Sequence, residues 1–149
     1  MGAPAADAPS PGAALPAPPG AHRTPVQIRF GDTDALGHLN NASYAVYAEV
    51  GRLAFLETLG AEVGALILAR LEVDFRAQAR YGEAVAVDTW VERVGTTSVT
   101  LRQHVCADAR VAAEVRSVVV RFDYAAQRPA PWPDAVRAAF AGGVAGPAV

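Results

Sequence analysis

The sequence FGDTDALGHLNNASY occupies residues 30–44, between a short β-type run and a long apolar segment. Alternation of apolar and polar residues before it predicts a first strand over Thr24–Phe30. The polar residues that follow predict a loop, with an asparagine, Asn40 or Asn41, as the cap of a helix. That helix is predicted from Ala42 to Leu59, because a glycine, which often ends helices, comes next. The loop therefore joins a strand to the N-terminus of a helix.

This loop holds side chains that catalysis often uses. Asp32, Asp34 and His38 lie close together in it, and the first amides of the following helix have no partner inside the helix. The helix dipole makes that end favourable for developing negative charge. A carboxylate beside such amides supplies a base or nucleophile together with an electrophilic pocket. Asp34 is the candidate for that carboxylate, and the alternative for it is a turn residue that caps the loop.

The other polar residues have less demanding interpretations. Asp32 is predicted to hold the loop through backbone amides. An Asp-x-Asp pair also offers oxygen ligands to a divalent metal, but two carboxylates without further nearby acids make a poor cage, so no metal or other cofactor is predicted. His38 has two open roles, a base or proton shuttle near the substrate and a loop residue bonded to the backbone. Cys106 is predicted to be a small buried or surface residue rather than a nucleophile.

Composition excludes several classes of protein. The chain has 149 residues, which suggests one domain with a real core. Its 13 basic and 15 acidic side chains include no block of like charge, which argues against a nucleic-acid partner. No apolar run reaches the roughly 18 residues of a membrane span. The single cysteine excludes an internal disulfide and fits a reducing compartment, so a cytoplasmic location is predicted.

The two ends of the chain differ from its middle. Residues 1–23 hold six of the eleven prolines, and such a segment buries too little apolar surface to offset the entropy of ordering it. They are predicted to form a disordered Pro/Ala-rich tail. The folded domain is predicted over residues 24–141, and residues 142–149 are predicted to form a flexible C-terminal tail.

Four further strands are predicted after the helix, from apolar residues at every second position and from one strongly β-type run. They cover residues 66–77, 84–94, 97–107 and 111–124. Short turns between them predict an antiparallel meander, and a short helix is predicted over residues 134–141. The helix over residues 42–59 is apolar nearly all round, which is typical of an enclosed helix. The predicted class is α+β, a five-stranded antiparallel sheet wrapped around one long helix.

The stretch at residues 30–44 resembles the signature of hotdog-fold acyl-CoA thioesterases of the 4-hydroxybenzoyl-CoA thioesterase family. The likeness continues through FRAQARYGE at residues 75–83 and GTTS at residues 95–98. It implies the hotdog fold, hydrolysis of short-chain, medium-chain or aromatic acyl-CoA, and no cofactor. It also implies a homodimer or homotetramer with active sites at the subunit interface. Two departures are Gln78, where relatives usually have proline, and Glu83, where they often have aspartate.

The resemblance also implies roles for individual residues. The second aspartate of the Asp-x-Asp pair is catalytic in the family, and here this residue is Asp34. A main-chain amide at the helix N-terminus polarises the thioester carbonyl, at or next to Asn41. Substrate contacts are expected from His38, Asn40, Asn41, Tyr44, Arg76, Thr97 and Ser98. Arg76 is a candidate for pairing with the phosphates of CoA, with a solvated strand edge as its alternative.

Two other functions remain open from the sequence. Hotdog hydratases and dehydratases carry a Gly-Asp-x-Asn-Pro-x-His motif, in which the histidine lies five residues past the aspartate. Here His38 lies six residues after Asp32 and four after Asp34, and Asn-Pro is absent, so this spacing disfavours hydration. The second alternative is a non-catalytic module that binds acyl ligands, which would keep the pocket without needing Asp34.

Overall fold

The computed structural model describes residues 16–142, so residues 1–15 of the predicted tail at 1–23 and residues 143–149 of the predicted tail at 142–149 lie outside the described residues. Its helices are α1 (Asn41–Thr58) and α2 (Asp134–Gly142). Its strands are β1 (His22–Val26), β2 (Leu66–Phe75), β3 (Val85–Val94), β4 (Ser98–Ala107), β5 (Arg110–Asp123) and β6 (Arg128–Pro129). The predicted α+β class, with one antiparallel sheet packed on a long helix, is confirmed.

The strand order shows where the predicted meander was wrong. The sheet runs β1-β3-β4-β5-β2, and the short β6 adds to β5. Of the four strands in the predicted meander, only β3, β4 and β5 are consecutive neighbours, because β2 pairs with β5 at the far edge of the sheet rather than with β3. The connection between β2 and β3 is therefore a crossover instead of a hairpin. A backbone hydrogen bond from Leu39 N to Ala79 O, 2.7 Å long, ties this crossover to the loop before α1.

The first strand begins and ends earlier than predicted. His22 and Arg23, which fall inside the predicted tail, pair with β3. The reason is a cross-strand ion pair, in which Arg23 Nε lies 2.7 Å from Asp88 Oδ1. At the other end the chain leaves the sheet after Val26, and Phe30 lies in a 3-10 turn with 80% of its surface exposed. The alternation through residue 30 therefore overstates the length of β1.

Helix α1 presents one face to the sheet and the other to solvent. Its buried residues are Tyr44, Tyr47, Ala48, Gly51, Arg52, Phe55 and Leu56. On the opposite face Val46 and Val50 are 50% and 44% exposed. Within one chain the predicted enclosure of the helix is therefore met on one face only, because the sheet covers only one side of α1.

The core has two parts, one under each half of α1. The first contains Tyr44 and Tyr47 of the helix against Val87 and Val105 of the sheet. The second contains Phe55 and Leu56. It is covered by Phe140 of α2 and by Trp132, which precedes α2, and their rings meet edge to face at 5.0 Å. The first half of α1 therefore faces the loop at residues 31–40. Within residues 16–142, no helix is long and apolar enough to cross a membrane.

Candidate active site

The loop between β1 and α1 is closed by its own hydrogen bonds. Asp34 N donates to His38 O at 2.8 Å, and Gly37 N donates to Asp34 O at 3.1 Å. Gly37 has φ +77, a left-handed conformation that glycine adopts without steric cost. Thr33 and Leu39 form an isolated antiparallel bridge at the base of the loop. These contacts give the loop a defined shape, with Asp34 inside its turn.

The Asp34 carboxylate is exposed, and its two oxygens have different surroundings. Oδ1 accepts hydrogen bonds from Leu36 N at 2.8 Å and His38 N at 3.2 Å. Oδ2 has no hydrogen-bond partner among residues 16–142. The carboxylate is thus anchored through one oxygen and presents the other to the surface.

Asp32 has the structural role that the sequence predicts, with more partners than backbone amides. Its carboxylate accepts from Arg29 N at 2.9 Å, from the Arg29 guanidinium at 3.0 Å and from Tyr47 Oη at 2.7 Å. Its backbone carbonyl accepts from Asn40 N at 2.8 Å and Ser43 Oγ at 3.0 Å. Asp32 therefore joins the segment after β1, the loop and helix α1.

Stability in acid should depend on Asp32. Hydrogen bonds from Arg29 and Tyr47 lower the pKa of this carboxyl from 3.8 to about 2. A carboxylate with a lowered pKa in the folded state stabilises the fold fully above its unfolded pKa, and the contribution disappears as the pH falls from about 4 to about 2. We expect wild type to lose melting temperature more steeply over that range than Asp32→Asn, as measured by circular dichroism. Parallel losses in the two proteins would contradict this.

The N-terminus of α1 is capped by the first of the two asparagines. Asn40 Oδ1 accepts from Ala42 N at 3.0 Å, and Asn40 O accepts from Ser43 N at 2.9 Å. The backbone N–H of Asn41 has no hydrogen-bond partner in the described part of the chain. An unpaired amide at a helix N-terminus is a donor for a negatively charged oxygen.

The crossover from β2 packs against the start of α1 through a buried tyrosine. Tyr44 Oη accepts from Ala79 N at 3.2 Å and donates to Ala77 O at 3.4 Å. Its ring meets the half-exposed Phe75 ring edge to face, with centroids 5.3 Å apart. The hydroxyl of Tyr44 is therefore engaged by the backbone, and its ring forms a wall.

A pocket of about 380 Å³ lies where the loop, the helix N-terminus and the crossover meet. Its lining residues are Asp34, Leu36, His38, Leu39, Asn41, Tyr44, Phe75, Arg76, Ala77 and Gln78. Five residues predicted from the sequence share this pocket, namely Asp34, His38, Asn41, Tyr44 and Arg76. Apart from Tyr44, the apolar residues of the lining were not among the predicted site residues, although Phe75 opens the second motif.

Three predicted binding residues do not line this pocket. Asn40 is the helix cap. Thr97 and Ser98 lie in and after the turn between β3 and β4, where the Thr97 carbonyl accepts from Arg121 N at 2.8 Å and Ser98 pairs with Val120. The neighbouring Thr96 carbonyl accepts from Trp132 N, so this turn packs at the α2 end of the molecule. The resemblance in sequence implied that these residues contact the substrate, but it did not specify where they lie relative to the pocket.

Two charged residues of the crossover, Arg76 and Glu83, are paired with side chains of β5. Arg76 Nε donates to Glu114 Oε2 at 2.7 Å, so its positive charge is partly balanced. Glu83, one of the two departures from the family pattern, pairs with Arg110 at 2.6 Å. Arg110 also donates to the carbonyl of Gln78, the other departure, at 2.6 Å. Glu83 therefore helps to fix the crossover through its side chain, and position 78 does so through its backbone carbonyl.

Two further kinds of site receive no support in the described residues. Cys106 is buried, and burial raises the pKa of its thiol to about 11, which makes it a poor nucleophile. Residues 16–142 contain no group of three or more His, Cys, Asp or Glu side chains placed to hold a metal ion.

Comparison with known proteins identifies the family. The family model of the thioesterase-like superfamily matches residues 28–140. Acyl-CoA thioester hydrolase YbgC of Escherichia coli O6:H1 is 28% identical over 126 residues, which cover 79% of this chain and 94% of YbgC. YneP of Bacillus subtilis is 31% identical over 74 residues, and the chain spans about half of that relative, 54%.

Solved structures agree with this family. A thioesterase from Thermus thermophilus, crystallised with coenzyme A and zinc, has a TM-score of 0.74 and 32% identity, covering 79% of this chain and 95% of its own. A structure described as a predicted thioesterase from Bacillus stearothermophilus has a TM-score of 0.77 and 35% identity, and the match covers 85% of this chain and 98% of that one. The chain therefore belongs to the thioesterase-like superfamily, and it has the hotdog fold and the enzyme class, thioester hydrolase, that its sequence predicted.

Proposed function

We propose that this protein hydrolyses the thioester bond of acyl-CoA, with Asp34 as the catalytic carboxylate. The backbone amide of Asn41 is the hydrogen-bond donor to the oxyanion that forms on the thioester carbonyl. The observation that carries the proposal is that one pocket is lined by Asp34 and by Asn41, whose amide is unpaired. The names of the relatives support the substrate class. His38, Tyr44 and Arg76, which also line the pocket, are proposed to contact the substrate.

The chemistry can follow two routes from the same geometry. In the first, Asp34 Oδ2 attacks the carbonyl carbon, the thiolate of CoA leaves, and water then hydrolyses the mixed anhydride to release the acid. In the second, Oδ2 takes a proton from a water molecule that attacks the carbonyl directly. Both routes place negative charge on the carbonyl oxygen, and the Asn41 amide stabilises that charge. The loss of one such donor typically costs about 2.7–4 kcal/mol of transition-state stabilisation.

The pocket walls suggest the part of the substrate that binds there. The rings of Tyr44 and Phe75 and the exposed side chain of Leu36 form apolar surface beside Asp34. We propose that the acyl group packs on this surface, which suits short or medium chains and aromatic groups. The cytoplasmic location stays a prediction from the single cysteine.

The test is a thiol-release assay on a panel of acyl-CoA esters with short, medium and aromatic acyl groups. We expect release of CoA with at least one member. Hydration of an enoyl-CoA without thiol release would identify a hydratase instead. Binding of an acyl-CoA by calorimetry without turnover of any thioester, including acyl groups on a carrier protein, would identify a binding module.

The protein is also proposed to form a homodimer or a dimer of dimers. Among residues 16–142, strand β2 pairs only with β5, so its outer edge carries backbone groups without a strand partner in that part of the chain, and proteins usually cover such edges. The apolar side chains of Leu68 and Phe75 on this strand are 41% and 48% exposed. Phe75 also lines the pocket, so a second copy paired along β2 would close the pocket from outside.

Light scattering should therefore give a mass of two or four times 15.5 kDa. Leu68→Lys is expected to shift the protein towards monomer, because a lysine on an edge strand opposes pairing between copies. Val63→Lys is the matched control, since Val63 is also an exposed apolar side chain but lies in a 3-10 turn before β2. A monomeric wild type at micromolar concentration would contradict the proposal.

A further inference from the structure

We propose that Tyr47 is a positioning residue for the hydrolysis: through Asp32, its hydroxyl sets the position of the Asp34 carboxylate relative to the Asn41 amide. This inference rests on the proposed function. It concerns a buried residue of α1 that does not line the pocket.

The contact that carries the inference is buried. Tyr47 is 2% exposed and Asp32 is 8% exposed, and the Tyr47 hydroxyl donates to Asp32 Oδ2 at 2.7 Å. Within residues 16–142, this is the only hydrogen bond from helix α1 to that carboxylate. The remaining partner of the carboxylate is Arg29, whose side chain is 74% exposed. Because solvent screens exposed ion pairs, the buried tyrosine gives the more rigid hold.

Asp32 is connected to both halves of the proposed catalytic pair. Along the chain it is two residues from Asp34, which is held inside its own turn by hydrogen bonds from residues 36 and 38. Across space its carbonyl accepts from Asn40 N at 2.8 Å, directly before Asn41. The same carbonyl accepts from Ser43 Oγ at 3.0 Å. A shift of Asp32 relative to α1 therefore changes the distance between the Asp34 carboxylate and the Asn41 backbone amide.

The charge states of the two groups keep this contact constant near neutral pH. Burial and the neighbouring carboxylate raise the pKa of Tyr47, so its hydroxyl keeps the proton that it donates. The pKa of Asp32 is lowered to about 2, so the acceptor stays ionised. The link is therefore a permanent feature of the folded protein and does not act as a pH switch.

The test is Tyr47→Phe, which removes the hydroxyl and keeps the ring in the core. We expect kcat on the best acyl-CoA to fall about 10- to 100-fold, as a misplacement on the order of 1 Å typically causes. KM should stay within about twofold, because Tyr47 does not line the pocket and the effect acts on the reacting geometry. Asp32→Asn should lower kcat further, since it weakens the Arg29 contacts as well.

Thr89→Val is the matched control. Thr89 is fully buried, and its hydroxyl accepts from Gln103 Nε2 at 3.1 Å; Gln103 Nε2 also donates to Ala48 O of helix α1. The change therefore removes one buried hydrogen bond, between β3 and β4, without affecting the loop at residues 31–40. We expect both variants to lose melting temperature and only Tyr47→Phe to lose kcat.

Three outcomes separate this inference from the proposed function. Wild type that releases no thiol refutes the proposed function, whatever the variants do. Active wild type with an unchanged kcat in Tyr47→Phe overturns the positioning role. Equal losses of kcat in Tyr47→Phe and Thr89→Val also overturn it, because they would show that lower stability alone explains the effect.

Discussion

Asp34→Asn is expected to lower kcat by about 10²–10⁴-fold, the range that a positioned base typically supplies, while acyl-CoA still binds. The amide keeps the size of the carboxylate, and its oxygen can still accept from the backbone amides of Leu36 and His38. It cannot act as a nucleophile or take a proton from water. The measurements are steady-state thiol release and calorimetric binding of a non-hydrolysable thioether analogue.

Asp123→Asn provides the matched control. Asp123 Oδ1 also accepts from two backbone amides, those of Ala125 at 3.0 Å and Ala126 at 2.9 Å, in the turn after β5. The control therefore reproduces the change of an aspartate inside a turn without affecting the pocket, and its turnover should equal that of wild type. Near-normal turnover in a folded Asp34→Asn protein would reject the catalytic role of Asp34.

Gly51→Ala is expected to lower the melting temperature. A Cβ at this position would lie 2.5 Å from Val87 Cγ1 and 2.7 Å from Val87 Cβ, and Val87 is fully buried on β3. Such overpacking costs about 1–3 kcal/mol, whereas alanine gains at most about 1 kcal/mol over glycine in a helix. At contacts below 3 Å with a fixed strand the overpacking is the larger effect. We expect a net loss of about 1–2 kcal/mol, or about 2–8 °C.

Gly64→Ala is the control for this substitution. Gly64 has no heavy atom within 4 Å of an added Cβ, and its φ lies outside the left-handed region. Its free energy of unfolding should change by less than about 0.5 kcal/mol. A melting temperature of Gly51→Ala at or above that of wild type, measured by calorimetry, would show that β3 or α1 shifts without cost.

Local patterns were enough to predict most elements of the fold. The cap at Asn40 and the end of α1 follow from nearby side chains and a glycine, and the structure places the helix within one residue of the prediction. The pairing of β2 with β5 is different, because alternation within a strand specifies its faces and not its neighbour. The exposure of Val46 and Val50 was missed for a similar reason, because the apolar pattern of a helix does not show how much of the helix surface one sheet covers.

The candidate site divides in the same way. The motif at residues 30–44 brings Asp34, His38 and Asn41 together through local backbone geometry, so it could be predicted. The hydrogen bond from Tyr47 to Asp32 joins residues 15 apart in the sequence, and it depends on how α1 is oriented about its own axis when it packs on the sheet. Thr97 and Ser98 do not line the pocket, and their distance from it could not be read from the motif because it depends on which end of the sheet the turn occupies.

The pairing of the edge strand has a consequence for how the protein is made. Strand β2 ends at residue 75, but its partner β5 extends from residue 110 to residue 123. A chain growing from the ribosome therefore exposes β2 and the crossover after it until β5 has emerged, because pairs distant in sequence form only after the intervening chain is available. The walls of the pocket at residues 75–78 are thus completed late in synthesis. A nascent chain that stops before residue 110 would contain Asp34 and Asn41 but lack the strand that supports their pocket.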